Sequence, residues 1–150
     1  MTGGLFDALR ELSGSARIER SLAALRLASG TAAVRVLIVE DDPFVALDLE
    51  CIVQEAFNAE VCVAGSVAEA RAHARQAVDF AFLDIDMPDG KIYEVAAELQ
   101  QRGVPFAFVS GEQLACVPPR LRAAPFIAKP YKVWQISQSL ISRPGDAARN

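Results

Sequence analysis

Between residues 34 and 142, short apolar segments alternate with segments in which apolar residues recur at helical spacing. This alternation is typical of βα repeats, whose parallel strands form a sheet that helices cover on both faces. The first pair consists of an apolar segment at Val34–Val39 and a helical pattern over residues 44–57. We therefore expect an α/β fold built on a parallel sheet.

The other predicted strands are four short apolar segments bounded by turn residues. They lie at residues 60–64, 80–83, 105–109 and 125–128, and the accompanying helices at residues 67–77, 93–102 and 132–142. The second strand should lie at an edge of the sheet. Ser66 is in the position to cap the second helix. Pro118 and Pro119 weaken any helix between the fourth and fifth strands, so that segment should be irregular or contain one short helix.

A length of 150 residues with 52% apolar residues fits a single soluble domain with one core. We divide the chain into a helical N-terminal extension at residues 1–33, a main domain at residues 34–142 and a flexible tail at residues 143–150. The extension is predicted to be helical from the spacing of its apolar residues, Leu5, Leu9, Leu12, Ile18, Leu22 and Leu25. Such helices must be covered, and we favour dimerisation or partner binding over an intramolecular cover of the main domain. A phosphotransfer helix is excluded, because the first histidine is His73.

The charge balance disfavours nucleic acid and membrane partners. Nineteen acidic and fifteen basic residues give a net charge of −4, which offers no attraction to phosphates. Apolar runs are too short for a membrane span, and Met1 to Gly4 lack the basic start of a signal peptide, so we expect a cytoplasmic protein. Three scattered cysteines, Cys51, Cys62 and Cys116, are interpreted as small buried apolar residues.

Polar residues gather where the predicted strands end. Glu40, Asp41 and Asp42 follow the first strand, Asp84 the third, Ser110 the fourth and Lys129 the fifth. Ligands of open parallel sheets bind at this edge. Converging carboxylates repel one another, and hard oxygen ligands favour Mg²⁺ over zinc. With a lysine and a hydroxyl added, such a site can hold a phosphoryl group.

Residues 34–142 resemble the receiver domain of two-component response regulators, which implies a doubly wound, five-stranded parallel sheet of flavodoxin-like type. The resemblance rests on four separated parts in order, namely residues 36–42 (VLIVEDD), residues 82–90 (FLDIDMPDG), Ser110, and Lys129 with Pro130. Each part alone is a weak signal, but together and in this order they are specific.

The resemblance implies a role for each matched position. Asp84 corresponds to the phosphoacceptor, which receives a phosphoryl group from a histidine kinase or a histidine phosphotransfer protein. The Mg²⁺ ligands would be Asp41 and Asp84, Glu40 through water, and the backbone carbonyl of Asp86. The phosphoryl oxygens would be bound by Lys129, after a cis peptide bond to Pro130, and by Ser110. Phe126 takes the position of the aromatic switch residue. Because it lacks a hydroxyl, its coupling to Ser110 must be steric.

The resemblance also bears on signalling. No output domain follows the last helix, so we expect a single-domain regulator that is not an enzyme and acts through protein contacts. The contact surface would comprise the segment after the fourth strand, the fifth strand and the last helix; the downstream partner is unknown. Residues 108–111 (FVSG) partly match the Phe-Ala-Thr-Gly motif of a subgroup of single-domain receivers.

Two other functions are compatible with parts of the pattern. One is a phosphatase of the haloacid dehalogenase type, whose nucleophile also lies in an Asp-x-Asp loop; here, however, Glu40 and Asp41 precede Asp84. The other is a binding module with the receiver fold that is not phosphorylated. Asp42 is interpreted as a helix cap, Asp89 with Gly90 as a turn, and Trp134 as a core residue.

Overall fold

The computed structural model describes residues 33–141. Apart from Ala33, the predicted N-terminal extension lies outside the described residues, and so do Ser142 and the predicted tail. The division of the chain into extension, domain and tail therefore remains a prediction.

Five strands form one parallel sheet, as expected. They are β1 Val34–Val39, β2 Ala59–Ala64, β3 Phe80–Leu83, β6 Phe106–Ser110 and β7 Phe126–Ala128. Their order is β2-β1-β3-β6-β7, so β2 is an edge strand and the chain winds outward from β1 in both directions. This order confirms the doubly wound α/β fold of flavodoxin-like type.

Four helices connect or follow these strands: α1 Pro43–Ala56, α2 Val67–Ala74, α3 Tyr93–Gln101 and α4 Val133–Ile141. Two of them, α1 and α2, begin at a side-chain cap. Asp42 accepts hydrogen bonds from the N–H groups of Phe44 and Val45, and Ser66 accepts one from Glu69, so both predicted caps are confirmed. Within residues 33–141, none of the helices has the length and apolar character needed to span a membrane.

The core consists of two layers, one on each face of the sheet. Along β1, Leu37 and Val39 belong to one layer, whereas Val36 and Ile38 belong to the other. Successive strand residues point to opposite faces, so a strand buried on both faces is apolar throughout. This explains why the central strands read as continuous apolar runs.

Two loop segments have more structure than the sequence predicts. After β3 the chain forms a small antiparallel hairpin, β4 Asp86–Met87 and β5 Gly90–Lys91. Gly90 has a φ of 137°, which favours glycine. Between β6 and β7 lie two short 3₁₀ helices, Leu114–Cys116 and Pro119–Leu121. The sequence predicts one short helix or an irregular stretch here, so the proline-containing segment has one more helical turn than expected.

Two predictions of burial are wrong. Cys51 and Cys116 are exposed and Cys62 is half-buried, and the exposed fraction of Trp134 is 50%. Cys51 lies on the outer face of α1, because the helix turns the positions of Leu49, Ile52 and Val53 towards the core. Trp134 lies in the first turn of α4, before the residues that contact the core.

The segment between β6 and β7 offers a test of this packing. Leu121 is fully buried, whereas Leu114 in the preceding 3₁₀ helix is 46% exposed. Leu121→Ala should lower the free energy of unfolding by about 2–5 kcal/mol because it leaves a cavity. The matched change Leu114→Ala should cost less than about 1 kcal/mol. Urea unfolding of both variants measures this, and equal effects would contradict the burial of Leu121.

Candidate functional site

Three carboxylates meet at the carboxyl edge of the sheet. Glu40 and Asp41 follow β1, and Asp84 follows the neighbouring strand β3. One oxygen atom from each of the three lies within 4.8 Å of the others. A backbone hydrogen bond from the Asp84 N–H to the Val39 carbonyl, 2.9 Å long, extends the strand pairing to this point. The sheet itself therefore brings the three acids together.

Lys129 neutralises part of this cluster. Its Nζ atom lies 2.5 Å from Oε2 of Glu40 and 2.9 Å from Oδ2 of Asp84. The residue follows β7, its N–H donates to the Ser110 carbonyl at 2.9 Å, and its peptide bond to Pro130 is cis, as expected. Three carboxylates and one ammonium group leave the cluster with an excess of two negative charges when all are ionised.

Burial governs the electrostatics of the ion pairs that Lys129 forms with Glu40 and Asp84. Glu40 is 3% exposed and Asp84 8%. Burial raises the pKa of Glu40, and the hydrogen bonds from Lys129 and from the Asp42 N–H only partly oppose it. Burial alone would lower the pKa of Lys129, but its hydrogen bonds to Glu40 and Asp84 outweigh that effect and raise it. Lys129 therefore stays charged, whereas burial makes Glu40 costly to ionise.

Each oxygen of the two buried acids has a hydrogen-bond donor. Oε1 of Glu40 accepts from the Asp42 N–H at 3.0 Å, and Oδ1 of Asp84 accepts from the Ile85 N–H at 2.8 Å. The remaining oxygens accept from Lys129. Asp41 differs, because its side chain is exposed at the rim of the site.

Ser110 lies at the end of β6, and its side chain is turned towards its own loop. Its Oγ atom accepts a hydrogen bond from the Glu112 N–H at 3.2 Å. The residue is 1% exposed and pairs with Ala128 of β7, the residue before Lys129. Ser110 is thus adjacent to the lysine along the sheet, while its hydroxyl is engaged elsewhere.

The side chain of Asp86 is paired with Lys91 and does not belong to the carboxylate cluster. Asp86 and Lys91 are partners across the β4–β5 hairpin, and Lys91 Nζ lies 3.0 Å from Asp86 Oδ1 and 3.6 Å from Glu112 Oε1. The hydrogen bond to Asp86 raises the pKa of Lys91. Lys91 therefore links the loop after Asp84 to the loop after Ser110. Sequence reasoning missed this link, whose only signal is a lysine at the register position opposite Asp86.

Phe126 lies on β7, partly buried against the core. Its ring centroid is 6.5 Å from that of Phe108, its partner residue on β6. The residue is thus placed two positions before the end of β7 and beside β6, the strand that carries Ser110.

Asp89 has a role that the sequence does not reveal. Its carboxylate accepts hydrogen bonds from the N–H groups of Val67 at 2.7 Å and Ala68 at 3.1 Å, and these bonds lower its pKa. It therefore caps α2 together with Ser66. Asp89 and Val67 are 22 residues apart, so no local pattern predicts the contact. Asp89 also occupies the turn of the hairpin, as expected.

The donor set of the cluster fits a hard divalent cation. Glu40, Asp41 and Asp84 supply carboxylate oxygens only, and such ligands suit Mg²⁺ rather than zinc. The excess of negative charge would be relieved by the ion. Both oxygens of Glu40 and both oxygens of Asp84 already accept hydrogen bonds, so the exposed carboxylate of Asp41 is the most available of the three for direct coordination.

Comparison with known proteins identifies relatives of this chain. A family model described as the response regulator receiver domain matches residues 36–141, while no curated protein sequence matches the chain. Among solved structures, the CheY-like receiver domain protein from Methanospirillum hungatei superposes with a TM-score of 0.62 at 22% identity, covering 73% of this chain and 91% of that one.

Two further structures show the same fold. The non-phosphorylated HemR receiver domain from Leptospira biflexa is 28% identical, with a TM-score of 0.61, over 73% of this chain and 94% of that one. The receiver domain of a sensor histidine kinase from Pseudomonas aeruginosa is 23% identical, with a TM-score of 0.62, over 76% and 99% of the two chains. That structure has a magnesium ion coordinated in its active-site cleft.

The raised pKa of Glu40 predicts a pH-dependent effect of Glu40→Gln. A carboxyl whose pKa is higher in the folded chain makes folding less favourable as the pH rises from its unfolded value through its folded value. Glutamine does not titrate, so the variant should have a higher free energy of unfolding than the wild type above the ordinary pKa of 4.5. Below that pH the difference should shrink.

Urea unfolding from acid to neutral pH, in the presence of a chelator, measures this difference. Glu55→Gln is the matched control, because it removes a carboxylate on the exposed side of α1, outside the cluster. A stability difference between wild type and Glu40→Gln that is constant over this pH range would contradict the electrostatic account.

Proposed function

The chain belongs to the response regulator receiver domain family, and from this premise we propose that it accepts a phosphoryl group on Asp84 and signals through protein contacts. Receiver domains are signalling domains of two-component systems, so this membership favours the receiver interpretation over the phosphatase alternative. The observation that carries the proposal is the contact of Lys129 with the buried Asp84, beside the carboxylates of Glu40 and Asp41.

In the proposed reaction a carboxylate oxygen of Asp84 attacks the phosphorus of a phosphohistidine. The new P–O bond forms as the P–N bond breaks, and the histidine ring of the donor leaves with the electron pair and takes up a proton. Lys129 supports this step, because its ammonium group already lies 2.9 Å from Asp84 and can follow the phosphoryl oxygens. An intact Asp84, Asp41 and Lys129 argue against a module that is not phosphorylated.

We propose Mg²⁺ as the cofactor. Asp41 and Asp84 would bind it directly, Glu40 through water, and Asp86 through its backbone carbonyl. The ion would shield the negative charges of the attacking carboxylate and the phosphoryl group. The side chain of Asp86 is paired with Lys91, which is compatible with a role for its carbonyl only.

Ser110 and Phe126 are the proposed switch residues. A phosphoryl group on Asp84 adds negative charge beside Lys129 and offers a charged acceptor to the O–H of Ser110, whose oxygen at rest accepts from the Glu112 N–H. Rotation of that hydroxyl would release the Glu112 N–H and free the loop after β6. Phe126 on β7 lies beside Phe108 on β6, the strand that carries Ser110. A shift of β6 would therefore be transmitted to Phe126 sterically.

The proposed partners are a histidine kinase or a histidine phosphotransfer protein upstream and a protein of unknown identity downstream, in the cytoplasm. Leu114 and Trp134 are 46% and 50% exposed, and they lie in two of the segments expected to form the output surface, the one after β6 and the last helix. Exposed apolar side chains of this size favour protein contacts.

The phosphoacceptor is tested by intact mass after incubation with acetyl phosphate and Mg²⁺. The wild type should gain one acid-labile phosphoryl group, and Asp84→Asn should gain none because the amide is not a nucleophile. Asp42→Asn is the matched control: asparagine also caps a helix, so this variant should be phosphorylated like the wild type. A phosphoryl group retained in Asp84→Asn would place the acceptor elsewhere.

The metal site is tested by calorimetric titration with Mg²⁺. Asp41→Ala should weaken binding about tenfold or more, since even outer-shell partners of a metal contribute that much. Asp86→Ala keeps the backbone carbonyl and should bind Mg²⁺ almost as the wild type does. Equal affinity of wild type and Asp41→Ala would remove Asp41 from the site, and a large loss in Asp86→Ala would contradict a role for its carbonyl alone.

A further inference from the structure

The outer face of α1 carries an exposed apolar stripe that the proposed function does not use. Phe44 is 82% exposed and Leu47 57%, and Cys51 is exposed as well. These three residues, spaced by three and four positions, lie on one side of a helix; we call them the α1 stripe. Large apolar side chains exposed in a row on one face of a helix indicate a surface that is covered in the functional protein.

The charges of α1 restrict what can cover the stripe. The helix contains three acidic residues, Asp48, Glu50 and Glu55, and no basic residue. In the part of the chain that the structure describes, Glu50 and Glu55 form no salt bridge. The matching occupant is therefore an apolar stripe flanked by basic residues.

Residues 17–26 of the same chain have this pattern. Ile18, Leu22 and Leu25 recur at helical spacing, and Arg17 and Arg26 directly precede and follow them. At 100° per residue the two arginines fall on opposite sides of the apolar stripe. The segment contains three arginines and one glutamate, so its charge is opposite to that of α1.

The connection between segment and helix is long enough. The Val34 N–H donates to the Asn58 carbonyl at 3.1 Å, so the chain enters β1 beside the carboxyl end of α1. The seven residues 27–33 can span about 23 Å when extended. The 14 residues of α1 extend over about 21 Å. The segment can therefore reach any part of the stripe, including Phe44.

We propose that residues 17–26 form a helix that packs against the α1 stripe of the same chain. This assigns the extension an intramolecular role, in place of the dimerisation favoured by the sequence alone. Phe44 is two residues from Asp42 at the rim of the carboxylate cluster, so a protein that delivers a phosphoryl group would meet the docked segment. This last consequence rests on the proposed function, whereas the docking does not.

The three native cysteines permit a direct test on the full chain. Cys51 lies in the stripe, Cys116 is exposed outside it, and Cys62 in β2 is half-buried. In timed alkylation with N-ethylmaleimide, followed by peptide mass spectrometry, Cys51 should react at least about tenfold more slowly than Cys116, the ratio that about 1.4 kcal/mol of docking free energy produces. Similar rates at Cys51 and Cys116 would overturn the proposal.

Two variants distinguish docking from other causes of protection. Leu22→Glu places a charge in the apolar stripe of the segment and should raise the Cys51 rate several-fold, while Ala24→Glu adds the same charge away from that stripe and should not. The Cys62 rate should stay unchanged in both. An unchanged Cys51 rate in Leu22→Glu, or a parallel rise at Cys51 and Cys62, would show that the segment is not the cover.

Concentration separates this chain from a second copy as the occupant. The alkylation rate of Cys51 is measured over about a hundredfold range of protein concentration. Protection of Cys51 by the same chain is independent of concentration, whereas protection by another copy falls on dilution by mass action. Light scattering at the same concentrations gives the mass. Constant protection of a monomer supports the proposal, and protection that disappears together with a dimer overturns it. Neither result depends on phosphorylation, so this proposal and the proposed function can fail separately.

Discussion

Two carboxylates, Glu40 and Asp84, are buried at the end of the sheet, and a single lysine makes this arrangement tolerable. Lys129 contacts both acids at 2.5 and 2.9 Å, and each acid also accepts a backbone N–H. Without Lys129 both carboxylates would lose their compensating charge, and leaving a buried charge uncompensated costs about 3–5 kcal/mol. The lysine side chain is 24% exposed, which keeps it accessible to an anion that arrives from solvent. The same ammonium group can thus stabilise the resting site and bind a phosphoryl group.

The parallel sheet explains why distant residues meet at this point. Glu40 and Lys129 are 89 positions apart, yet each follows directly on a strand of one sheet. Strand pairing continues into the site: the Asp84 N–H bonds to Val39 and the Lys129 N–H to Ser110. The positions of the acids and the lysine are therefore fixed by main-chain hydrogen bonds and by core packing on both faces. The rigidity of the site follows from the stability of the sheet.

The strands and the carboxylate cluster could be predicted because the physics that creates them is local. A strand buried on both faces is continuously apolar, so its end is visible in the sequence, and so is the polar residue that follows. The exposed stripe on α1 could not be predicted, because Phe44, Leu47 and Cys51 add apolar residues opposite the buried face, so that apolar periodicity alone does not tell the two faces apart. The Asp89 cap of α2 and the contacts of Lys91 join residues through the tertiary fold, and neither has a local signature. The same ambiguity between the two faces of α1 explains why the prediction that Cys51 is buried is wrong.

The resting structure also indicates where a change could begin. The backbone of Ser110 is held by its pairing with β7, but its hydroxyl oxygen accepts one hydrogen bond of 3.2 Å from the Glu112 N–H. Glu112 in turn is held by Lys91 at 3.6 Å, an exposed contact of little strength. Charge-assisted hydrogen bonds to a phosphoryl oxygen are about twice as strong as neutral ones. The Ser110–Glu112 contact is therefore the one that would break if the Ser110 hydroxyl turned to donate to a phosphoryl group on Asp84, while the main-chain bonds that hold Asp84 and Lys129 in place belong to the sheet and would remain.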